Sequence, residues 1–268
     1  LAASRLVSVL AQADSPAGHL PLRPLVLVGE RLYLRRYWQA EREVAAGLRA
    51  RMGPSEEGET RVSDALGERL RELFASNQPD PHGEPDWQKL ACALALRQRL
   101  TVISGGPGTG KTTTVTRLLA LLQAQALARG TDRHFRHHAG NPLALDLLVV
   151  DEASMVDLDL MAALLGALPA HARLILLGDK DQLASVEAGA VLGDLCEHAL
   201  PPRYSPALCA DLSRLTGETL EQAIAVPDGQ DLEETSATRG RLADHVVVLQ
   251  KSYRFSADSG IGALARAS

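Results

Sequence analysis

Apolar residues come along this chain in short runs separated by longer stretches with helical spacing. Leu100-Thr101-Val102-Ile103, Leu145 to Val150, Arg173 to Gly178 and His245 to Leu249 each read as a strand. Between them, Val115, Leu118, Leu119 and Leu122 recur at helical spacing over Thr113 to about Leu127. Further helices are predicted over Asp157 to Leu168 and about Ala190 to Ala199. Strands that alternate with helices predict an α/β fold around a parallel sheet. Pro201 to Arg241 is polar and irregular, with one helix expected near Leu208 to Leu215.

Residues 1–80 have a different texture and are predicted to be a small, mostly helical N-terminal domain. Leu6, Val7, Val9 and Leu10 are expected to begin a helix, and Pro16, Pro21 and Pro24 punctuate the loop that follows. Leu25 to Leu34 reads as a hairpin around Gly29-Glu30-Arg31. Helices over about Arg36 to Arg51 and Glu59 to Ala75 are broken apart by Met52-Gly53-Pro54-Ser55. Tyr37 and Trp38 suit internal packing, with a partner surface as the other reading. Asn77 to Pro85 is a linker by composition, after which Asp86 caps a helix, Trp87 to Arg99, that delivers the chain into the first sheet strand.

The chemistry begins where that strand ends. Gly105-Gly106-Pro107-Gly108-Thr109-Gly110-Lys111-Thr112 fits G-x-x-x-x-G-K-[ST], with a strand before it and a helix after it. Glycines let the backbone curl and aim N–H groups at phosphate oxygens, and the helix N-terminus adds a favourable dipole. Lys111 would reach the β- and γ-phosphates and the Thr112 hydroxyl would hold Mg²⁺, with Thr113 beside them at the start of the helix. A glycine-rich turn matching by chance would lack the flanking strand and helix.

The strand ending at Val150 runs into Asp151-Glu152. Asp151 would hold the Mg²⁺ shell, and Glu152 would orient and deprotonate an attacking water. The bland alternative is a pair that merely caps the next helix. Gln182, after the strand that ends at Gly178, is placed to feel a γ-phosphate. Gln88, on the helix before the phosphate loop, is equally compatible with a solvated surface position. His134, His137 and His138 lie close together, yet no carboxylate or cysteine partner stands at ligand spacing, so a basic loop is expected.

Composition narrows the class. The chain of 268 residues is 46% apolar, enough for a folded core. A net charge of −5 argues against general avidity for nucleic acid, so any DNA contact must come from local patches or partner subunits. Cys92, Cys196 and Cys209 are scattered without C-x-x-C spacing, as expected of free thiols in a reducing, cytoplasmic compartment. No apolar run approaches a membrane span. The opening Leu1-Ala2-Ala3-Ser4-Arg5 lacks both Met and a signal-peptide pattern, and is expected to follow a lost N-terminus.

Taken in order, the phosphate loop, Val149-Val150-Asp151-Glu152-Ala153-Ser154, Gly178-Asp179 with Gln182-Leu183, and Ser252-Tyr253-Arg254-Phe255 resemble superfamily 1 DNA helicases. The wording is most similar to the RecD family, also through Arg136 to Leu143, Asp151 to Met155, Gly178 to Asp194 and Leu249 to Phe255. The resemblance spans roughly residues 25–265 and implies a RecA-like P-loop NTPase domain over 81–249, with the start of a second motor domain at 250–268. It implies ATP and Mg²⁺ as cofactors, with Gln88 reading adenine, Lys111 and Thr112 on phosphate and metal, and Asp151 and Glu152 on metal and water. Gln182 would link the γ-phosphate to the DNA site. Arg254 would reach the γ-phosphate from the second motor domain and stabilise transition-state charge.

The family moves 5′ to 3′ on single-stranded DNA beside RecB and RecC subunits in bacterial double-strand break repair, and the N-terminal piece would dock on a partner. Two features depart from it. An Ala-Pro-Thr-Gly-Lys-Ala-Ala-type segment that contacts DNA has no counterpart, so Gly130 to His134 is expected to be a junction where residues are missing. The chain also stops at Ser268, before the later motifs of the second motor domain. A stand-alone helicase and a non-hydrolysing structural P-loop subunit are the alternatives. No carboxylates cluster beyond the ATPase pair, so nuclease activity would belong to a partner.

Overall fold

The computed structural model describes residues 6–10, 23–52, 62–77, 83–126, 143, 145–182, 191–197, 199–220 and 242–251. At its centre is a four-stranded, all-parallel sheet. Its strands are β4 (Leu100–Gly105), β5 (Leu147–Val150), β6 (Arg173–Gly178) and β7 (Val246–Leu249), in the order β5-β6-β4-β7. Every residue of β4 is buried, as a central parallel strand covered on both faces must be. Its side chains alternate between two cores. Ile103 joins Ile175, Leu177, Val247 and Leu249 on one face of the sheet. Leu100 and Val102 join Leu174, Leu176, Val246 and Val248 on the other.

Helices cover both faces. On the first lie α2 (Asp64–Phe74), α3 (Trp87–Arg97), α4 (Lys111–Ala126) and α7 (Pro206–Thr216). On the second lie α1 (Arg35–Met52), α5 (Leu158–Ala167) and α6 (Val191–Cys196). α3 is apolar nearly all round because it sits beneath other helices, and Leu90, Ala91, Ala93, Leu94 and Ala95 are all buried. It begins where Asp86 accepts from the backbone N–H groups of Gln88 and Lys89, as the sequence predicts, and it ends at Arg97. α7 has Ser205 as its N-cap and Pro206 in its first turn, so it starts two residues before the expected Leu208.

α1 extends the second core. Ala40, Val44 and Leu48 share a cluster with Met161, Leu165 and the sheet residues. Arg51, 3% exposed, fixes this packing by donating to the carbonyls of Gly47, Leu168 and Pro169 at 2.8, 2.8 and 3.0 Å. The predicted hairpin is present as β2 (Leu25–Val28) against β3 (Arg31–Leu34). Trp38 packs beneath it with Val26 and Leu10.

One element differs from expectation. Val7–Leu10, expected to start a helix, is the strand β1, paired parallel to β2 with Val7 opposite Leu25. Two β-branched valines alternate with Ser8 and Leu10 there, and the ladder to β2 favours that extended form over a short isolated helix turn. Arg23 donates to the Val7 carbonyl at 2.7 Å and Arg35 to the Ser8 hydroxyl at 2.9 Å, tying β1 in place. The histidine-bearing stretch and the Gly130–His134 junction lie outside the described residues. Among the described residues, no helix is long and apolar enough to cross a membrane.

Candidate nucleotide-binding site

In a parallel sheet the carboxyl ends of the strands share one edge, and ligands bind there. β4, β6 and β5 are neighbours in that order, so the loops that leave them stand side by side. β4 supplies the phosphate loop, β6 the turn carrying Gln182, and β5 the pair Asp151-Glu152. The three segments predicted from sequence are thus brought together, with the Gln182 turn between the other two.

The phosphate loop leaves β4 at Gly105 and enters α4 at Lys111. Gly108 and Gly110 have φ of 80° and 82°, a left-handed conformation that costs a residue with a Cβ about 1–2 kcal/mol. Thr109 is 5% exposed and donates its hydroxyl to the Gly106 carbonyl at 2.9 Å, closing the loop on itself. Lys111 folds over it, with Nζ 2.5 Å from the Gly105 carbonyl and 3.4 Å from that of Gly106. An ammonium held by neutral carbonyls exchanges them readily for phosphate oxygens, where the bond is charge-assisted. The N–H groups of the first turn of α4 have no intrahelical partners and face the same loop. Thr112 and Thr113 are exposed in that turn, while buried Thr114 donates its hydroxyl to the Gly110 carbonyl at 3.0 Å.

Asp151 and Glu152 are exposed at the tip of β5. The Glu152 N–H donates to Asp151 Oδ1 at 2.9 Å, which fixes the carboxylate at the strand end. Glu152 itself is left-handed, at φ 53° and ψ 38°, the only such non-glycine residue described. Strain of this kind is held by what surrounds it. Here the following turn, Ala153–Met155, is pinned: Ala153 is 1% exposed and Ser154 8%. The bland alternative, that the pair caps α5, does not hold. Asp157 is the cap, accepting from the Leu160 N–H at 2.7 Å.

Gly178, the last residue of β6, makes room for this turn. A Cβ there would stand 2.4 Å from Leu192 Cδ2 and 3.1 Å from the Ser154 nitrogen. Ser154 Oγ then meets Gln182 Oε1 at 3.1 Å. From the other side, the Lys180 N–H donates to Ser104 Oγ, also at 3.1 Å.

Gln88 is 6% exposed rather than solvated, and its Nε2 donates to the Thr109 carbonyl at 3.0 Å. It borders a cavity of about 620 Å³ beside the phosphate loop, whose walls include Phe74, Trp87, Thr109, Leu249 and Lys251. The walls mix the apolar faces of Phe74, Trp87 and Leu249 with many polar groups, Gln88, Lys89, Gln250 and Lys251 among them, and this position beside the phosphate loop suits a nucleotide base. The wall from α2 was not foreseen. Phe74 stacks under the Arg117 guanidinium, 4.4 Å from the ring centroid, and Arg117 reaches Asn77 Oδ1 at 3.3 Å. Asn77 in turn donates to Asp86 at 2.6 Å. Ser104 and Ser154 were also missed as site residues, although Ser154 stands within the quoted Asp-Glu-Ala-Ser run. Arg254 lies outside the described residues.

Burial holds the thiols near the site toward their protonated form. Burial pushes Cys196 up to about 11, against a weaker opposing effect of the Ser104 hydrogen bond, and burial also raises Cys92. Among the described residues no three His, Cys, Asp or Glu side chains group as a metal cage. The oxygen donors on offer are the Thr112 hydroxyl and the Asp151 carboxylate, both exposed at the loop edge. Such a sparse set fits Mg²⁺, which takes one or two protein oxygens and completes its shell with phosphates and water.

This fold and site define a P-loop NTPase with a RecA-like domain. Two AAA domain families match the chain, one over residues 121–205 and the other over 88–131. It is similar to the RecBCD enzyme subunit RecD of Haemophilus influenzae, 36% identical over 256 residues that cover 75% of this chain and 37% of the relative. The RecBCD enzyme subunit RecD of Mycolicibacterium smegmatis is 38% identical over 228 residues, covering 65% and 39%. The ATP-dependent RecD2 DNA helicase of Deinococcus radiodurans is 33% identical over 181 residues, covering 52% and 25%. The chain is RecD-like, and it spans less than half the length of these relatives.

Proposed function

We propose that this chain is the ATP-hydrolysing part of a 5′-to-3′ DNA helicase subunit that acts with RecB- and RecC-like partners on the 5′-ended strand in bacterial double-strand break repair. The observation that carries this reading is the meeting of three loops on one sheet edge: the phosphate loop, the Gln182 turn and Asp151-Glu152. Residues 81–249 would be the first motor domain, 250–268 the start of the second, and 1–80 the partner-docking piece in the cytoplasmic complex.

Each residue then has a task. The loop N–H groups from Gly105 to Thr113 would cradle the ATP phosphates, and Lys111 would neutralise the β- and γ-oxygens. Thr112 and Asp151 would hold Mg²⁺, which supplies charge neutralisation on the phosphate oxygens when bound. Glu152, exposed on its left-handed turn, would accept a proton from the attacking water. Gln88 has its Nε2 committed to Thr109, so its Oε1 would accept from the adenine amino group. Gln182 would contact the γ-phosphate, and Arg254 would add positive charge when the second motor domain closes.

A second reading, a helicase that acts without such partners, rests on the similarity to the ATP-dependent RecD2 DNA helicase of Deinococcus radiodurans, whose name mentions no RecBCD enzyme. Unwinding by the full-length chain separates the readings. Displacement of a strand from duplexes with a 5′ tail and not a 3′ tail supports the proposed polarity, and the reverse preference refutes it. Activity without partners selects the self-sufficient form.

A further inference from the structure

We propose that Ser154 is a positioning residue that anchors the Gln182 side chain by its amide oxygen, with the amide nitrogen free to meet the γ-phosphate. The inference rests on the reading of this edge as an ATPase site. Ser154 is 8% exposed and Gln182 is exposed, so the contact anchors a surface side chain to a buried one. An amide oxygen only accepts, so at 3.1 Å from Gln182 Oε1 the Ser154 hydroxyl must be the donor. With Oε1 held, Nε2 is the end left to turn outward, and its two N–H groups are what a phosphate oxygen needs. The opposite flip would present a carbonyl oxygen to phosphate, and the two would repel.

The surrounding backbone keeps this arrangement in place. The Asp181 N–H donates to Asp179 Oδ1 at 3.1 Å and the Gln182 N–H to the Asp179 carbonyl at 3.3 Å, which forms a tight turn. The Lys180 N–H donates to Ser104 Oγ in the strand that carries the phosphate loop. On the other side Gly178 leaves the gap into which the Ser154 backbone settles, with a notional Cβ only 3.1 Å from the Ser154 nitrogen. The Gln182 turn is therefore suspended between β4 and the Asp-Glu turn, and Ser154 is its side-chain link to the residues that would handle water and metal.

The test is a double-mutant cycle on the full-length chain, with ATP turnover measured on single-stranded DNA for wild type, Ser154→Ala, Gln182→Ala and the double variant. Ser154→Ala is expected to lower kcat roughly three- to tenfold, the worth of one hydrogen bond, with KM for ATP changed less than about twofold. In the Gln182→Ala background the same change should have no further effect. A loss of equal size in both backgrounds, or full kcat in Ser154→Ala, overturns the proposal, because Ser154 would then act elsewhere or not at all. Gln182→Ala at wild-type turnover removes the phosphate contact itself and the inference with it. No ATP turnover by wild type would instead refute the ATPase reading. If Ser154→Ala does not fold, Ser154→Cys keeps the volume, weakens the donor and must show the same non-additivity.

Discussion

The side-chain amide of Gln88 donates to the backbone carbonyl of Thr109 at 3.0 Å, so the helix before β4 and the phosphate loop after it are tied together across 21 residues. Gln88 thereby touches the loop and borders the neighbouring cavity at once. Gln88→Ala leaves the buried Thr109 carbonyl without that donor and widens the cavity. KM for ATP should rise about 5- to 150-fold, from a penalty on the order of 1–3 kcal/mol, with a smaller change in kcat. Unchanged nucleotide affinity in equilibrium binding would dissociate Gln88 from the base.

Glu152 holds a left-handed backbone with its carboxylate exposed. Glu152→Gln keeps that backbone and the side-chain volume and removes the basic oxygen. Nucleotide binding and thermal stability should stay at wild-type values while turnover falls about 10²–10⁴-fold. Weakened binding with normal turnover, seen by titration beside steady-state rates, would exclude it as the base.

How far these features could be read from sequence depends on the range of the interactions behind them. The strand, phosphate loop and helix from Leu100 to Ala126 are local, since glycine positions and apolar spacing sit within a few residues of one another. Asp151-Glu152 and Gln182 were legible as polar residues at strand ends, but only the order β5-β6-β4 shows that Gln182 stands between the other two. The wall formed by the end of α2 was not legible, because Phe74 precedes the expected linker, Asn77 begins it, and both meet Arg117 only through tertiary packing. β1 was misread because alternation over Val7–Leu10 is too short to distinguish a strand from a helix start without the partner β2.

Thr101 tests the energetics of the central strand. It is fully buried in β4, and its hydroxyl has no hydrogen-bond partner among the described residues. Thr101→Val keeps the shape and removes a desolvated polar atom, so the protein should gain about 1 kcal/mol in urea unfolding. A loss of stability would reveal a partner for the hydroxyl.

His245 gives the fold a pH dependence. Burial lowers its pKa from the ordinary value of 6.5, although its ring nitrogen meets the Leu100 carbonyl at 2.9 Å. The folded state therefore keeps this imidazole neutral while the unfolded state takes up a proton below pH 6.5. Its contribution to stability is complete above that pH and declines as pH falls from there toward the lower folded value. Unfolding midpoints of wild type and His245→Gln across this range should converge as pH falls. Parallel pH profiles would mean that His245 carries no proton linkage.

The most direct measurement is the ATPase rate of the full-length chain with and without single-stranded DNA, alone and with its partner subunits, beside Lys111→Ala. DNA-stimulated hydrolysis that Lys111→Ala abolishes, by at least about 10²-fold, is the expected result. Absence of stimulation in every combination, or turnover that survives loss of Lys111, would contradict a DNA-driven motor built on this phosphate loop.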